Sequence, residues 1–553
     1  MQKEYVFPKI ETNISSLLKS CLSDLGVSES PLIVIEIPKE RANGDLSTNV
    51  AFRLSPVLKK KPKEIAELLL SSCRNKLGEF NLDSVVKDIT IASGGFLNFY
   101  LKDSFLYEMA LDIIKTKDVL GDINLGKGKN TLIEFVSANP TGPLSIAHAR
   151  QAAVGDSLAR ILAVLGFKVT REYYNNDEGN QINILGKSLE LRYRQLQGET
   201  VDFPEDHYQG DYIIDLAKEI KEKKIKIKDE QGFRDFALEK ITKVIQDELG
   251  DFGVEFDVWY SQKKLASSKK IEQALDLLRK KDFIYENEGA TWFKSTEFGD
   301  DKDRVVVKSD KNYTYLAPDI AYHLDKFNRG FKWLINIWGP DHHGYVPRIK
   351  AVIQALGHDK GSLSVIIVQL ATIYREGKSV SMSTRRGQYI TLREVLNEVG
   401  RDATRFFLLM RRTDSHLDFD LELAKKQSSE NPVYYIQYAY ARICSILNNA
   451  KDIKLNLKEI NLSLLKEHEE GDLLQLIFQF SYVMEVCLRQ LDSYPVTAYL
   501  QNLATAFHRF YDQHKVLSED KNLTLARLAL IRCLQIVFAQ GLDLLGISKP
   551  EKM

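Results

Sequence analysis

The sequence predicts an α/β fold: a doubly wound parallel sheet, with a small α+β unit before it and an α-helical bundle after it. Three observations predict it. From Thr131 to about Ala371, apolar runs of strand length alternate with stretches of helical spacing. Before that, roughly the first hundred residues mix helical patterns with short β-rich runs. After about Asn431 only helical spacing remains.

In chain order, Ile10 to Leu25 has helical spacing, Leu32 to Ile37 is a β-rich run closed by Pro38, and Ile65 to Leu77 is helical. Val85 to Ile91 and Phe96 to Tyr100 read as two strands about Gly94-Gly95. The Gly- and Lys-rich stretch Gly121 to Asn130 reads as a linker. Strands are expected at Thr131–Val136, Lys168–Tyr174, Trp333–Trp338 and Leu363–Ala371, with helices at Ala149–Leu165 and Val346–Leu356. Between the halves a helical, Lys/Glu-rich insertion is expected over about 179–281, and its run Lys218 to Glu230 reads as a solvated helix face or loop. Helical patterns over Tyr434–Asn448, Leu473–Leu491, Tyr499–Gln513 and Leu523–Leu545 make the bundle. The expected domain boundaries are 1–105, 125–415 and 430–553.

The chain has 553 residues, with 76 Lys+Arg against 76 Asp+Glu. A protein that held a polyanion by bulk charge should be basic overall, so any nucleic-acid site here is a local surface offset by acid elsewhere. Five scattered cysteines without a C-x-x-C pair argue against a disulfide framework and against a zinc ribbon, and fit a reduced setting. The N-terminus has charges and a Pro where a signal peptide needs an apolar run. Apolar stretches such as Leu363 to Ala371 are too short to span a bilayer. A soluble cytoplasmic protein is expected.

Three segments carry chemistry. Glu134-Phe-Val-Ser-Ala-Asn139-Pro140-Thr-Gly142-Pro143-Leu-Ser145-Ile-Ala-His148 runs from strand through a Gly/Pro loop to a helix start. Gly142 and the prolines bring backbone close to a ligand, and the helix start offers free N–H groups to an anion. His148 can donate a ring N–H to phosphate. The second segment, Arg375-Glu-Gly-Lys378-Ser-Val-Ser381-Met382-Ser383-Thr384-Arg385-Arg386-Gly387, supplies cations for charge developing on a phosphate. On its own it reads equally as a solvated basic loop. The third, Trp338-Gly-Pro-Asp341-His342-His343-Gly344-Tyr345, lies where such sheets bind ligands; Asp341 suits a ribose hydroxyl and His343 a nucleotide. Adjacent residues on one turn seldom converge on an ion, so no metal site is expected.

Together these segments resemble a class I aminoacyl-tRNA synthetase, and specifically an arginyl-tRNA synthetase of the bacterial type. The first stands at the "HIGH" signature and the second at the "KMSKS" signature. The arginyl resemblance rests on E-F-V-S-A-N-P-T-G-P-L at 134–144, W-G-P-D-H-H-G-Y at 338–345, D-S-H-L-D-F-D-L at 414–421, N-P-V-Y-Y-I-Q-Y-A-Y-A-R-I at 431–443 and the ending L-L-G-I-S-K-P-E-K-M. It covers the whole chain in order.

The resemblance implies a Rossmann-like catalytic domain, an N-terminal domain touching the D-loop corner of tRNA(Arg), and an anticodon-binding helical bundle. It implies that L-arginine and ATP, with Mg2+, give arginyl-adenylate once tRNA is bound, and that the arginyl group passes to the terminal ribose. It further implies no protein-bound zinc, no DNA or membrane partner, and a monomer. Site residues carried over are Glu134, Asn139, Tyr315 and Asp319 for arginine, and Pro140, Gly142, His148, Asp341, His343 and Lys378 for ATP. Ser145, His148, Lys378, Met382, Ser383 and Arg385 are the catalytic set, and Phe96, Asn98, Tyr438, Arg442 and Met553 are the tRNA contacts. For Asp319 the plain reading is a helix cap, and for Tyr315 and Phe96 core packing.

Two positions depart from the family pattern. Ser145 stands where the first signature has its first His, and Thr384 where the second has its second Lys. Lys378, just before the motif, is expected to do the missing lysine's work. Ser145 also keeps open a second reading, a catalytically weak or inactive tRNA-binding paralogue. A cysteinyl enzyme would need zinc-ligand cysteines near the pocket, and a pantothenate synthetase lacks the RNA modules.

Overall fold

The computed structural model describes residues 6–27, 31–38, 40–92, 94–121, 123–380 and 389–553. The N-terminal helix Phe7–Asp24 buries Phe7, Ile10, Ile14, Leu17, Leu18 and Cys21, one face of a 3.6-residue period. It packs on helices Pro62–Lys76 and His468–Gln490, and the same unit holds strands β1 (Ile35–Glu36), β2 (Leu46–Thr48), β3 (Val86–Ile91) and β4 (Leu97–Leu101). These strands form an antiparallel sheet in the order β1-β2-β4-β3. The β3–β4 turn needs its glycines: Gly95 has φ 112°, and a Cβ there would lie 2.7 Å from the Pro62 carbonyl carbon.

The middle of the chain builds β5 (Asn130–Glu134), β6 (Lys168–Asn175) and β7 (Val258–Ser261). A separate antiparallel sheet follows, made of β8 (Ile284–Asn287), β9 (Ala290–Phe293) and β10 (Arg304–Val307). The chain then returns with β11 (Trp333–Trp338) and β12 (Leu363–Ile367). Five strands pair in parallel in the order β12-β11-β5-β6-β7. The order reverses between β5 and β11, which opens a crevice at their carboxyl ends. The expected insertion at 179–281 is mostly helical, through Asn180–Leu196, Asp211–Glu222 and Glu230–Asp251, but it also supplies edge strand β7. The expected strand Leu363–Ala371 divides: after β12, β13 (Ala371–Arg375) joins a third sheet with β14 (Lys378–Ser379) and β15 (Leu417–Asp420). β13 and β14 meet at Glu376-Gly377, both at positive φ (50° and 73°), the pairing a two-residue hairpin demands.

Helices Pro432–Asn449, His468–Gln490, Tyr494–Gln513 and Lys521–Leu545 close the chain. Asn431 caps the first of them, with Pro432 at its first position. By length and composition, His468–Gln490 and Lys521–Leu545 are long and apolar enough to cross a bilayer, against the expectation of short apolar stretches only. Their apolar faces are buried in the fold through Phe478, Phe480, Leu528, Leu534 and Phe538. Core helices of a large bundle pass the same hydropathy test.

Candidate active site

A cavity of about 560 Å³ occupies the crevice at the ends of β5 and β11. Glu134, the last residue of β5, is on its wall. The chain turns sharply after it: Val136 and Ser137 both have positive φ, 66° and 41°. A β-branched residue in that region is strained, which is typical where backbone is bent to serve a site. The bend returns the Ser137 hydroxyl to Glu134 Oε1 at 3.2 Å.

Glu134 is paired from behind. Lys326 Nζ, fully buried, lies 2.5 Å from Glu134 Oε2 and 3.3 Å from Asn336 Oδ1. Asn336 Nδ2 then meets His323 Nε2 at 3.0 Å, and His323 Nδ1 meets the Asp319 carbonyl at 2.8 Å. Since only Nδ1–H can donate to that carbonyl, Nε2 is the acceptor for Asn336. Burial, with Lys326 nearby, lowers the His323 pKa to about 3, so the ring is a neutral spacer. The Asp319 side chain does not cap its helix, Leu316–Asn328; Oδ2 accepts the Tyr345 hydroxyl at 2.5 Å. Burial pushes the Asp319 carboxyl up to about 7, with the Tyr345 hydrogen bond opposing the rise and Glu134 adding to it. Tyr315 lines the cavity and is 87% exposed, at its mouth rather than in the core. Asn139 is exposed on the rim, its amide held by Asn176 and Gln181 at 3.1 and 2.6 Å.

The nucleotide-type side is built around Ser145 and His148. Ser145 is the N-cap of helix Ile146–Val164 and forms a capping box with His148 at the third helical position. Its backbone N–H donates to His148 Nδ1 at 3.2 Å, with Oγ also 3.2 Å away. Nδ1 is therefore an acceptor, and the ring proton sits on Nε2. Burial lowers the His148 pKa to about 4, with Asp341 opposing. His148 lines the cavity as a neutral donor, while Ser145 is buried behind it and orients it. Pro140 is buried in the loop before them, and Gly142 is enclosed by Tyr212 and Tyr389. Asp341 and His342 line the cavity. His343, the expected nucleotide contact, is exposed on the same turn and is not among the lining residues. Lys378 is exposed at the start of β14. Met382, Ser383 and Arg385 lie outside the described residues.

Of the expected RNA contacts, Phe96 is 39% exposed and rests against Phe52, ring centroids 4.9 Å apart. Asn98 is only 2% exposed, and its amide oxygen accepts from Ser47 at 2.7 Å. Arg442 bonds the hydroxyls of Tyr438 and, at 3.0 Å, Tyr511, and Tyr434 stacks on Tyr438. Tyr440 is buried, whereas Met553 is 49% exposed. Residues that sequence reading passed over include Ser137, Tyr174, His323 and His342, all lining the cavity, and Lys326 behind it.

The doubly wound sheet, the crevice at its switch point and a histidine at the adjoining helix start are the architecture of a class I aminoacyl-tRNA synthetase. The fold is similar to the Thermus thermophilus arginyl-tRNA synthetase, with TM-score 0.78 and 21% identity over 98% of this chain and 100% of that one. It is more distantly similar to a Mycobacterium tuberculosis methionyl-tRNA synthetase, with TM-score 0.53 and 10% identity over 76% of this chain and 92% of that one. Residues 10–101 match the arginyl tRNA synthetase N terminal domain, 110–417 the catalytic domain of tRNA synthetases class I (R), and 436–553 the DALR anticodon binding domain. The arginine–tRNA ligase of Geobacillus kaustophilus is 48% identical over 95% of each chain. That of Citrifermentans bemidjiense is 45% identical over 97% of this chain and 98% of that protein. The chain belongs to the arginyl-tRNA synthetase family.

Proposed function

We propose that the cavity at the ends of β5 and β11 is where this arginine–tRNA ligase activates its amino acid. The arginine carboxylate attacks the α-phosphorus of ATP and pyrophosphate leaves; a terminal ribose hydroxyl of tRNA(Arg) then takes the arginyl group and AMP leaves. The observation that carries the reading is a cavity with two carboxylates in different states. Glu134 is matched by Lys326, whereas Asp319 is met by a hydroxyl. A planar guanidinium seeks such an unmatched carboxylate, with Tyr315 as a wall. Glu134 and Asn139 meet the other polar atoms of arginine.

On the other side, His148 Nε2–H and the Pro140–Gly142 backbone face the ATP phosphates and Asp341 the ribose, while His343 stands outside the cavity wall on the same turn. Mg2+ enters on the phosphates. The work is positioning and charge stabilisation, with Lys378, Met382, Ser383 and Arg385 closing the catalytic set around Ser145 and His148. Domains 1–105, 125–415 and 430–553 divide the labour, with tRNA held by Phe96, Tyr438, Arg442 and Met553; Asn98, buried and bonded to Ser47, supports Phe96 from within the sheet. The enzyme works as a cytoplasmic monomer and activates arginine only with tRNA bound.

ATP–pyrophosphate exchange with and without tRNA tests this: exchange should need both arginine and tRNA. No exchange with any amino acid would leave only the inactive-paralogue reading. Lys378→Ala should lose about 100-fold or more in the exchange rate, the size of one lost transition-state charge contact. A near wild-type rate in that variant would end the idea that Lys378 replaces the missing signature lysine.

A further inference from the structure

Within the loop of the first signature, Thr141 N–H donates to the Asn139 carbonyl at 2.7 Å. Pro140 and Pro143 have no N–H, so the loop's other carbonyls need donors from elsewhere. Two tyrosines supply them. Tyr212, in helix Asp211–Glu222, donates to the Thr141 carbonyl at 2.6 Å, and Tyr389 donates to the Pro143 carbonyl at 2.8 Å. Their hydroxyls converge over Gly142, where a Cβ would lie 3.1 Å from one and 3.3 Å from the other. The fastening continues along the chain. Leu392 N donates to the Leu144 carbonyl at 2.7 Å, and Ser145 bridges Thr391. Residues 389–392 thus provide three of the fastenings, and they follow the second signature directly in sequence. Thr391 and Glu394 form a capping box that anchors this stretch at the head of helix Leu392–Leu409.

We propose that Tyr389 is a positioning residue for adenylate formation. Its hydroxyl fixes the Pro143 carbonyl, and through the loop it sets the helix start on which Ser145 orients His148. The stretch 389–392 is thereby fastened to the loop of the first signature, with Tyr212 bracing that loop from the insertion. The inference rests on the reading of His148 as a phosphate donor.

The test is steady-state exchange with full-length Tyr389→Phe, Tyr212→Phe and the double variant, beside His148→Ala. Each Phe keeps the ring and deletes one neutral hydrogen bond. The KM for ATP should rise between about 2- and 12-fold in each single variant, with the KM for arginine unchanged. Because both hydroxyls hold one loop, the double variant should depart from the product of the singles. A hydroxyl with only a structural role would move both substrates together or lower the thermal midpoint alone, and either result overturns the proposal. If His148→Ala loses exchange while Tyr389→Phe keeps the wild-type KM for ATP, the positioning role fails and the nucleotide reading stands. If His148→Ala exchanges at the wild-type rate, both fall.

Discussion

Asp319→Asn is expected to cost about 30- to 5,000-fold in kcat/KM for arginine, the equivalent of the 2–5 kcal/mol lost when one member of a buried charge pair is truncated. The same substitution should raise the thermal midpoint of the ligand-free protein. Both effects come from one carboxyl. Its pKa in the fold is about 7, above the ordinary 3.8, because burial disfavours its charged form. The sign follows from linkage: a carboxyl whose folded pKa is raised destabilises the fold as it ionises. The wild type therefore loses stability as pH rises from about 4 to about 7, and the Asn variant escapes that loss over the same window. Arginine binding runs the other way, because the guanidinium needs the carboxylate. The wild-type KM for arginine should fall as pH rises towards about 7 and level off above it. Melting curves and exchange kinetics across this range, on both proteins, check the two slopes together. A pH-independent KM for arginine in the wild type would remove Asp319 from the guanidinium site.

Much of this site was legible from residue patterns, and the parts that were not share a physical cause. Strand–helix alternation located β5, β6 and β11 within a residue or two; β5 and β11 are short, largely apolar runs, as buried parallel strands are, whereas β6 stands out by its β-branched and aromatic residues. β7 was absorbed into the insertion because an edge strand of four half-buried residues, Val258–Ser261, leaves no such run. Asp319 was found, but Tyr322, His323 and Lys326 repeat it at i+3, i+4 and i+7, one face of one helix. That polar stripe on a buried helix was readable, and its extension to Lys326 is what names the partner of Glu134. The fastening of Tyr389 to Pro143 was not readable, since it joins residues 246 apart in sequence and depends on a carbonyl left without a donor. Asn98 shows the converse limit. The family resemblance makes it an RNA contact beside Phe96, but Phe96 precedes β4 and Asn98 lies within it, buried and paired across to Ser47 and Thr90.

Lys326→Met should be among the most destabilising single substitutions in the catalytic domain. Breaking a buried ion pair from one side costs about 3–5 kcal/mol, because the remaining charge keeps its desolvation penalty and loses its partner. Glu134 would be left in that state, since Lys326 is its cationic partner at 2.5 Å. A fall on the order of 10 °C in the domain's thermal midpoint is expected. Glu134→Gln added to Lys326→Met should recover most of that loss, because neither buried charge then remains, yet arginine activation should stay low without the Glu134 carboxylate. If the double variant melts no higher than Lys326→Met alone, the cost is lost packing over the Tyr322 ring, 4.0 Å from Nζ, rather than an orphaned charge. The same pair of variants separates the two carboxylates. Glu134 and Lys326 act on Asp319 with opposite signs, so removing both together leaves the burial of Asp319 as the main cause of its raised pKa. Residual arginine binding in the double variant should therefore still strengthen as pH rises towards about 7. Loss of that dependence would mean that the Glu134–Lys326 pair, and not Asp319, sets the charge that the guanidinium meets.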